Sequence, residues 1–250
     1  MGLCHSKHAK RGSLRRNAAT NAALNAKIQA ALHARMEEQA KLEHPMSFER
    51  ILLKFDHLQD VLGYVKDNFL ACSADGKFVD MAGLNKAITN IKGSRPSEEE
   101  VKEIFNFADL HEDVRINLKE FVVALTLGVV LDSINFGEEK VKLAPSPRRQ
   151  SMSSFFGHPK EVYNMLSLIV SAYLLFDKDG SGRIQRDTVT KLLDERGHKD
   201  SSSSNAMLSQ ERWKELDWDE NGQIDLAEFV HAFTMWVDMD NILSVGESSP

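Results

Sequence analysis

Twelve residues near the C-terminal end, Asp217 to Glu228, constrain this chain more than any other stretch. They read DWDENGQIDLAE, with Asp217, Asp219 and Asn221 at alternate positions, Gly222 next, and Glu228 closing the run. That is the pattern of a loop wound around a hard cation. Calcium takes six to eight oxygen ligands, and each position has a task. Asp217, Asp219 and Asn221 offer side-chain oxygens, and Gln223 offers its backbone carbonyl. Asp225 holds a bridging water, and Glu228 closes the sphere with two oxygens. Gly222 permits the left-handed backbone of the sharp turn. Ile224 is placed to pair in a short strand with a neighbouring loop. Trp213 and Leu216 before the loop, and Phe229, Val230 and Phe233 after it, mark apolar helix faces. They argue against a merely solvated Asp/Asn turn.

The pattern repeats upstream, and the repeat defines the architecture. Residues 177–188, DKDGSGRIQRDT, put Asp177, Asp179 and Ser181 at the first three ligand positions, Gly182 at the turn and Arg183 at the carbonyl position. Thr188 stands where the bidentate carboxylate belongs, so calcium binding here is expected to be weakened or lost. Residues 109–120, DLHEDVRINLKE, keep Asp109, Asp113, Ile116, Asn117 and Glu120. However, His111 replaces a carboxylate and Val114 replaces the turn glycine. A β-branched residue is strained in that conformation, so this loop is expected to depart from the binding geometry. The helix leading in is announced by Ser97 and Glu100, a capping-box spacing after Pro96. Around 71–84, ACSADGKFVDMAGL keeps a Gly-x-apolar core, with Phe78 or Val79 at the strand position. Neither register aligns carboxylates at the first, third and last ligand positions, and this loop reads as structural.

On these motifs the chain resembles the EF-hand superfamily, arranged as two pairs like calmodulin, over about residues 58–240. The run KEFVVALTLGVVLD is similar to plant-type calmodulin-like proteins with lipid-modifiable N-termini. The resemblance implies a mostly α fold of two EF-hand pairs with short paired loop strands, preceded by a helical arm. Residues 1–45 are then a basic arm, 46–132 a degenerate pair, 133–159 a linker and 160–245 a calcium-binding pair. It also implies that calcium opens a pair and exposes an apolar groove to a target helix. The expected function is a membrane-tethered calcium sensor or adaptor with one strong site and one weaker one. The alternative is a regulatory subunit of a phosphatase or kinase, similar in role to the calcineurin B family.

Charge separates the arm from the body. The first 36 residues hold Lys7, Lys10, Arg11, Arg15, Arg16, Lys27 and Arg35, while all 37 acidic residues follow. The arm suits an anionic membrane surface, and the acidic body disfavours nucleic acid. The start, MGLCHSKHAKR, fits the myristoylation pattern with Gly2 and Ser6, and Cys4 is close enough for palmitoylation. One acyl chain anchors marginally, so a second chain or the basic cluster is needed. The expected location is the cytoplasmic face of a membrane with a cytosolic pool. The alternatives are an organellar transit peptide, because the arm lacks acids, and a plain disordered arm.

Leu24, Ile28, Leu32 and Met36 form one helical stripe within the arm. It could lie on a membrane, bind a partner, or fold back onto the body. Met207, Met235 and Met239, with Phe233 and Trp236, could line a target groove or belong to the core. Ser151 follows two arginines, as at sites of basophilic kinases.

With 42% apolar and 27% charged residues the chain is globular. Its longest apolar run, Phe121 to Leu131, is too short to span a bilayer. Two cysteines, Cys4 and Cys72, build no disulfide framework and suit a cytosolic protein. The nine histidines form no metal-ligand spacing, and no nucleophile or nucleotide motif occurs, so catalysis is not expected.

Overall fold

The computed structural model describes residues 18–41, 58–92, 96–131, 159–186 and 213–236. Among these the chain runs α1 (Ala18–Ala40), α2 (Leu58–Cys72), α3 (Met81–Lys92), α4 (Glu98–Ala108), α5 (Leu118–Val130), α6 (Pro159–Phe176), β1 (Ile184–Gln185), β2 (Gln223–Ile224) and α7 (Leu226–Trp236). The fold is mostly α, as the sequence implies.

The two helices around the second loop begin on strong local signals. Ser97 accepts a bond from the Glu100 amide and caps α4, whose first turn carries Glu98, Glu99 and Glu100 against the helix dipole. Asn117 and Glu120 form a complete capping box at the start of α5.

The apolar run from Phe121 lies in α5, and it is the centre of the molecule. Every residue of α5 except Lys119 is buried, because a helix apolar on all sides must be packed on all sides. It contacts α1, α2 and α4, and also α6 and α7 from the second half of the chain. Thr126 is tolerated there because its hydroxyl donates to the Val122 carbonyl. The Val129 carbonyl, near the helix end, accepts from Arg35 at 2.6 Å.

The loops meet in pairs. Val79 and Ile116 exchange backbone hydrogen bonds of 2.8 and 2.9 Å, which assigns the strand position of the first loop to Val79 rather than Phe78. β1 and β2 are antiparallel, with Ile184 opposite Ile224.

The stripe of α1 folds back onto the body. Leu24, Ile28 and Leu32 are buried, and Met36 packs against the core. Lys27 pairs with Glu103 at 2.9 Å, and Gln39 donates to the Ser171 hydroxyl. α1 also covers the third loop: a methyl on Gly180 would lie 3.0 Å from His33 and 3.1 Å from Met36. A Leu32→Asp change places an unpaired charge in this seat and removes a buried leucine, which is worth about 2–5 kcal/mol. Limited proteolysis is then expected to cut within α1 much faster than in the parent chain. Equal rates would show that α1 is not held by this stripe.

Candidate metal centre

Loop four joins the helical turn at 213–216 to α7. Its backbone is left-handed at Glu220 (φ 58°) and Gly222 (φ 83°), which turns successive oxygens inward. One ligand atom each from Asp217, Asp219 and Glu228 lies within 4.8 Å of the others. Glu228 Oε1 accepts from the amides of Trp218 and Asp219, and Oε2 from the amide of Asp225. Asp217 Oδ2 accepts from the Gly222 amide and from the Trp213 indole N–H, both at 3.1 Å. Asn221 donates its side-chain amide to Asp219, and its Oδ1 accepts from the Gln223 amide. Asp225 Oδ1 accepts from the Glu228 amide and caps α7.

One oxygen is left over. Asp217 Oδ1 is buried without a hydrogen-bond partner among the described residues. A buried carboxylate oxygen without a donor is costly, and a cation shared with Asp219 and Glu228 would satisfy it. Burial, reinforced by the Asp225 charge, pushes the Glu228 carboxyl up to about 8. The residues therefore fit a hard divalent ion held by oxygen.

Loop three repeats the backbone signature at Gly180 (φ 64°) and Gly182 (φ 74°). Asp177 is buried, and its oxygens accept from the Ser181 and Gly182 amides. Burial and the neighbouring Asp179 raise its carboxyl above the usual range. The Ser181 hydroxyl lies 2.9 Å from the Arg183 carbonyl, so two expected ligand groups already face each other. Thr188 lies outside the described residues, as do Gly2, Cys4, Ser151, Met207 and Met239. Phe233 is buried and Met235 packs against the core, so these two are core residues.

Loop two corrects an expectation. Val114 does not break the geometry: its φ is 61°, with Glu112 at 54°, the same pair of left-handed positions as in loops three and four. Val114 is 71% exposed among the described residues, and its amide donates to Asp109 Oδ2. That fixed bond holds a conformation that costs of order 1–3 kcal/mol.

Loop one lacks a closing ligand. With Val79 at the strand position, Gly83 occupies the place of that ligand, and a Cβ there would sit 2.6 Å from the Cys72 carbonyl. Asp75 instead accepts from the Lys77 and Phe78 amides, which closes the loop internally.

The sequence reading missed two contacts. Trp213 serves as a donor to Asp217 as well as an apolar face residue, and its place four residues earlier on one helix face is the signal. In the sequence His111 stands only as a lost carboxylate. Its ring Nδ1 lies 2.6 Å from Glu120 Oε1, and that hydrogen bond raises the imidazole pKa.

A family model described as an EF-hand domain pair matches residues 75–126. The paired loops and this match identify an EF-hand pair at residues 75–126, and over most of its length the chain is similar to plant calcium-binding proteins. It is 28% identical over 195 residues to the probable calcium-binding protein CML21 of Arabidopsis thaliana, covering 78% of this chain and 77% of that protein. A second Arabidopsis thaliana relative, the probable calcium-binding protein CML22, is 29% identical over 196 residues, 78% of this chain and 80% of its own. Calcium-dependent protein kinase 9 of Oryza sativa subsp. japonica is 27% identical over 166 residues, 62% of this chain but 27% of the kinase.

Proposed function

We propose that this chain is a calcium sensor or adaptor that binds the ion at loop four and engages a target protein in response. The observation that carries the reading is the buried, unpartnered Asp217 oxygen inside the three-carboxylate cluster. Asp217, Asp219, Asn221, the Gln223 carbonyl, Asp225 and Glu228 are the proposed ligands. Loop three, with Asp177, Asp179, Ser181, the Arg183 carbonyl and Thr188, is the weaker site. The calcium-binding descriptions of the two Arabidopsis relatives support the choice of ion. The target is a protein segment presented as an amphipathic helix.

The same reading places the protein on the cytoplasmic face of a membrane through myristate on Gly2, palmitate on Cys4 and the basic cluster that follows. The docked stripe of α1 leaves that attachment to the residues before it.

Trp213 and Trp218 flank Asp217, so calcium is expected to shift the tryptophan emission of the full chain, and chelator to reverse the shift. No calcium-dependent change would overturn the sensor reading. Partners retained in calcium and released by chelator would support it. Fractionation tests the tether: Gly2→Ala should be cytosolic and Cys4→Ser weakly bound in a salt-sensitive way. A Gly2→Ala protein still bound, with a shortened form inside an organelle, would replace the tether with organellar import.

A further inference from the structure

Loops two and four share four backbone hydrogen bonds to their first aspartate and last glutamate. In loop four the amides of Trp218 and Asp219 donate to Glu228 Oε1 at 3.0 and 3.2 Å. In loop two the amides of Leu110 and His111 donate to Glu120 Oε1, also at 3.0 and 3.2 Å. The second oxygen of each glutamate accepts from Asp225 and Asn117 respectively, at 3.0 and 2.9 Å. Asp217 and Asp109 each accept from the amide at the turn position, at 3.1 and 3.0 Å. Loop two thus has the frame of an ion-binding loop, and it keeps Asp109, Asp113 and Glu120.

They differ at the first aspartate, where Asp109 Oδ1 accepts from the Asp113 amide at 3.2 Å while Asp217 Oδ1 has no partner among the described residues, and above all at the third residue of the loop. Loop four turns the Asp219 carboxylate toward Glu228 there. Loop two turns the His111 ring toward Glu120, with Nδ1 2.6 Å from Oε1. A carboxylate only accepts, so this ring nitrogen carries the hydrogen. Glu120 is almost wholly buried and His111 is part-exposed, so the ring closes the loop from its open side. On its other flank the ring meets the fourth hand edge to face. Its centroid lies 5.6 Å from Trp218 and 6.2 Å from His231, which are themselves 5.4 Å apart.

We propose that His111 stands in for the cation of the second hand, tying down Glu120 so that this loop is closed without metal and braced against the fourth loop. The assignment concerns a different loop from the proposed calcium site and holds whether or not loop four binds calcium.

The test is a count of calcium ions bound to the full chain by native mass spectrometry at saturating calcium. His111→Asp restores a carboxylate at the third residue of the loop and is expected to bind one ion more than the parent. Adding Glu120→Gln to it should remove that ion. Equal counts in the parent and a folded His111→Asp protein would overturn the proposal. So would loss of an ion when Glu120→Gln is made alone, since loop two would then already hold metal. If His111→Asp does not fold, the parent chain decides by amide hydrogen exchange in chelator. The Leu110 and Val114 amides should be protected there; exchange at the rate of an unfolded chain would overturn the assignment.

Discussion

A Glu228→Gln protein is expected to bind calcium at loop four on the order of a hundredfold more weakly, or about 2.8 kcal/mol. The change is small in volume, so the effect is chemical. The carbonyl of Gln can still accept from the Trp218 and Asp219 amides, as Glu228 Oε1 does. Its amide nitrogen would then face the Asp225 N–H, donor against donor, where Oε2 now accepts. The cluster also loses one of its three converging carboxylates and the bidentate closure. Titration calorimetry on both proteins measures the difference. An unchanged affinity would remove loop four as the calcium site.

The second large effect is expected at Phe121. This ring is fully buried in the central helix and meets Phe69 edge to face at 5.5 Å. Phe121→Ala loses that contact and leaves a cavity where helices from both halves of the chain converge, which typically costs about 3–5 kcal/mol. The midpoint of urea unfolding, with and without calcium, reads this directly. A loss below about 1 kcal/mol, the ordinary effect of a point change, would show that the ring does not anchor the core.

What the sequence revealed followed from how local each feature is. The form of loop four is legible because its carboxylates, turn glycine and strand residue sit at fixed offsets within twelve positions. The stripe of α1 was legible for the same reason, but its seat was not. Leu24, Ile28 and Leu32 announce a buried face without saying what buries them. Loop two is less legible, because the sequence displays the strain of Val114 but not the bonds that hold it. Its anchors, Asp109 and Glu120, act through backbone amides that no sequence pattern displays. His111 was visible as an absent carboxylate. That its ring reaches Trp218 and His231 depends on packing between loops far apart in the chain.

The position of α5 governs how the molecule can move. A hinge needs a stretch of chain with little packed around it, and α5 is buried against helices from both halves. Among the described helices relative motion is therefore expected as shear, the sliding of interlocked side chains by small steps. Because α1 lies against loop three and is tied to the end of α5 through Arg35, it is coupled to that sliding stack. The output of ion binding is then expected as a displacement of α1 across the surface, rather than as two lobes swinging apart. Distances measured between labels on α1 and α3, with and without calcium, would register it as a change of a few ångströms along the α1 axis.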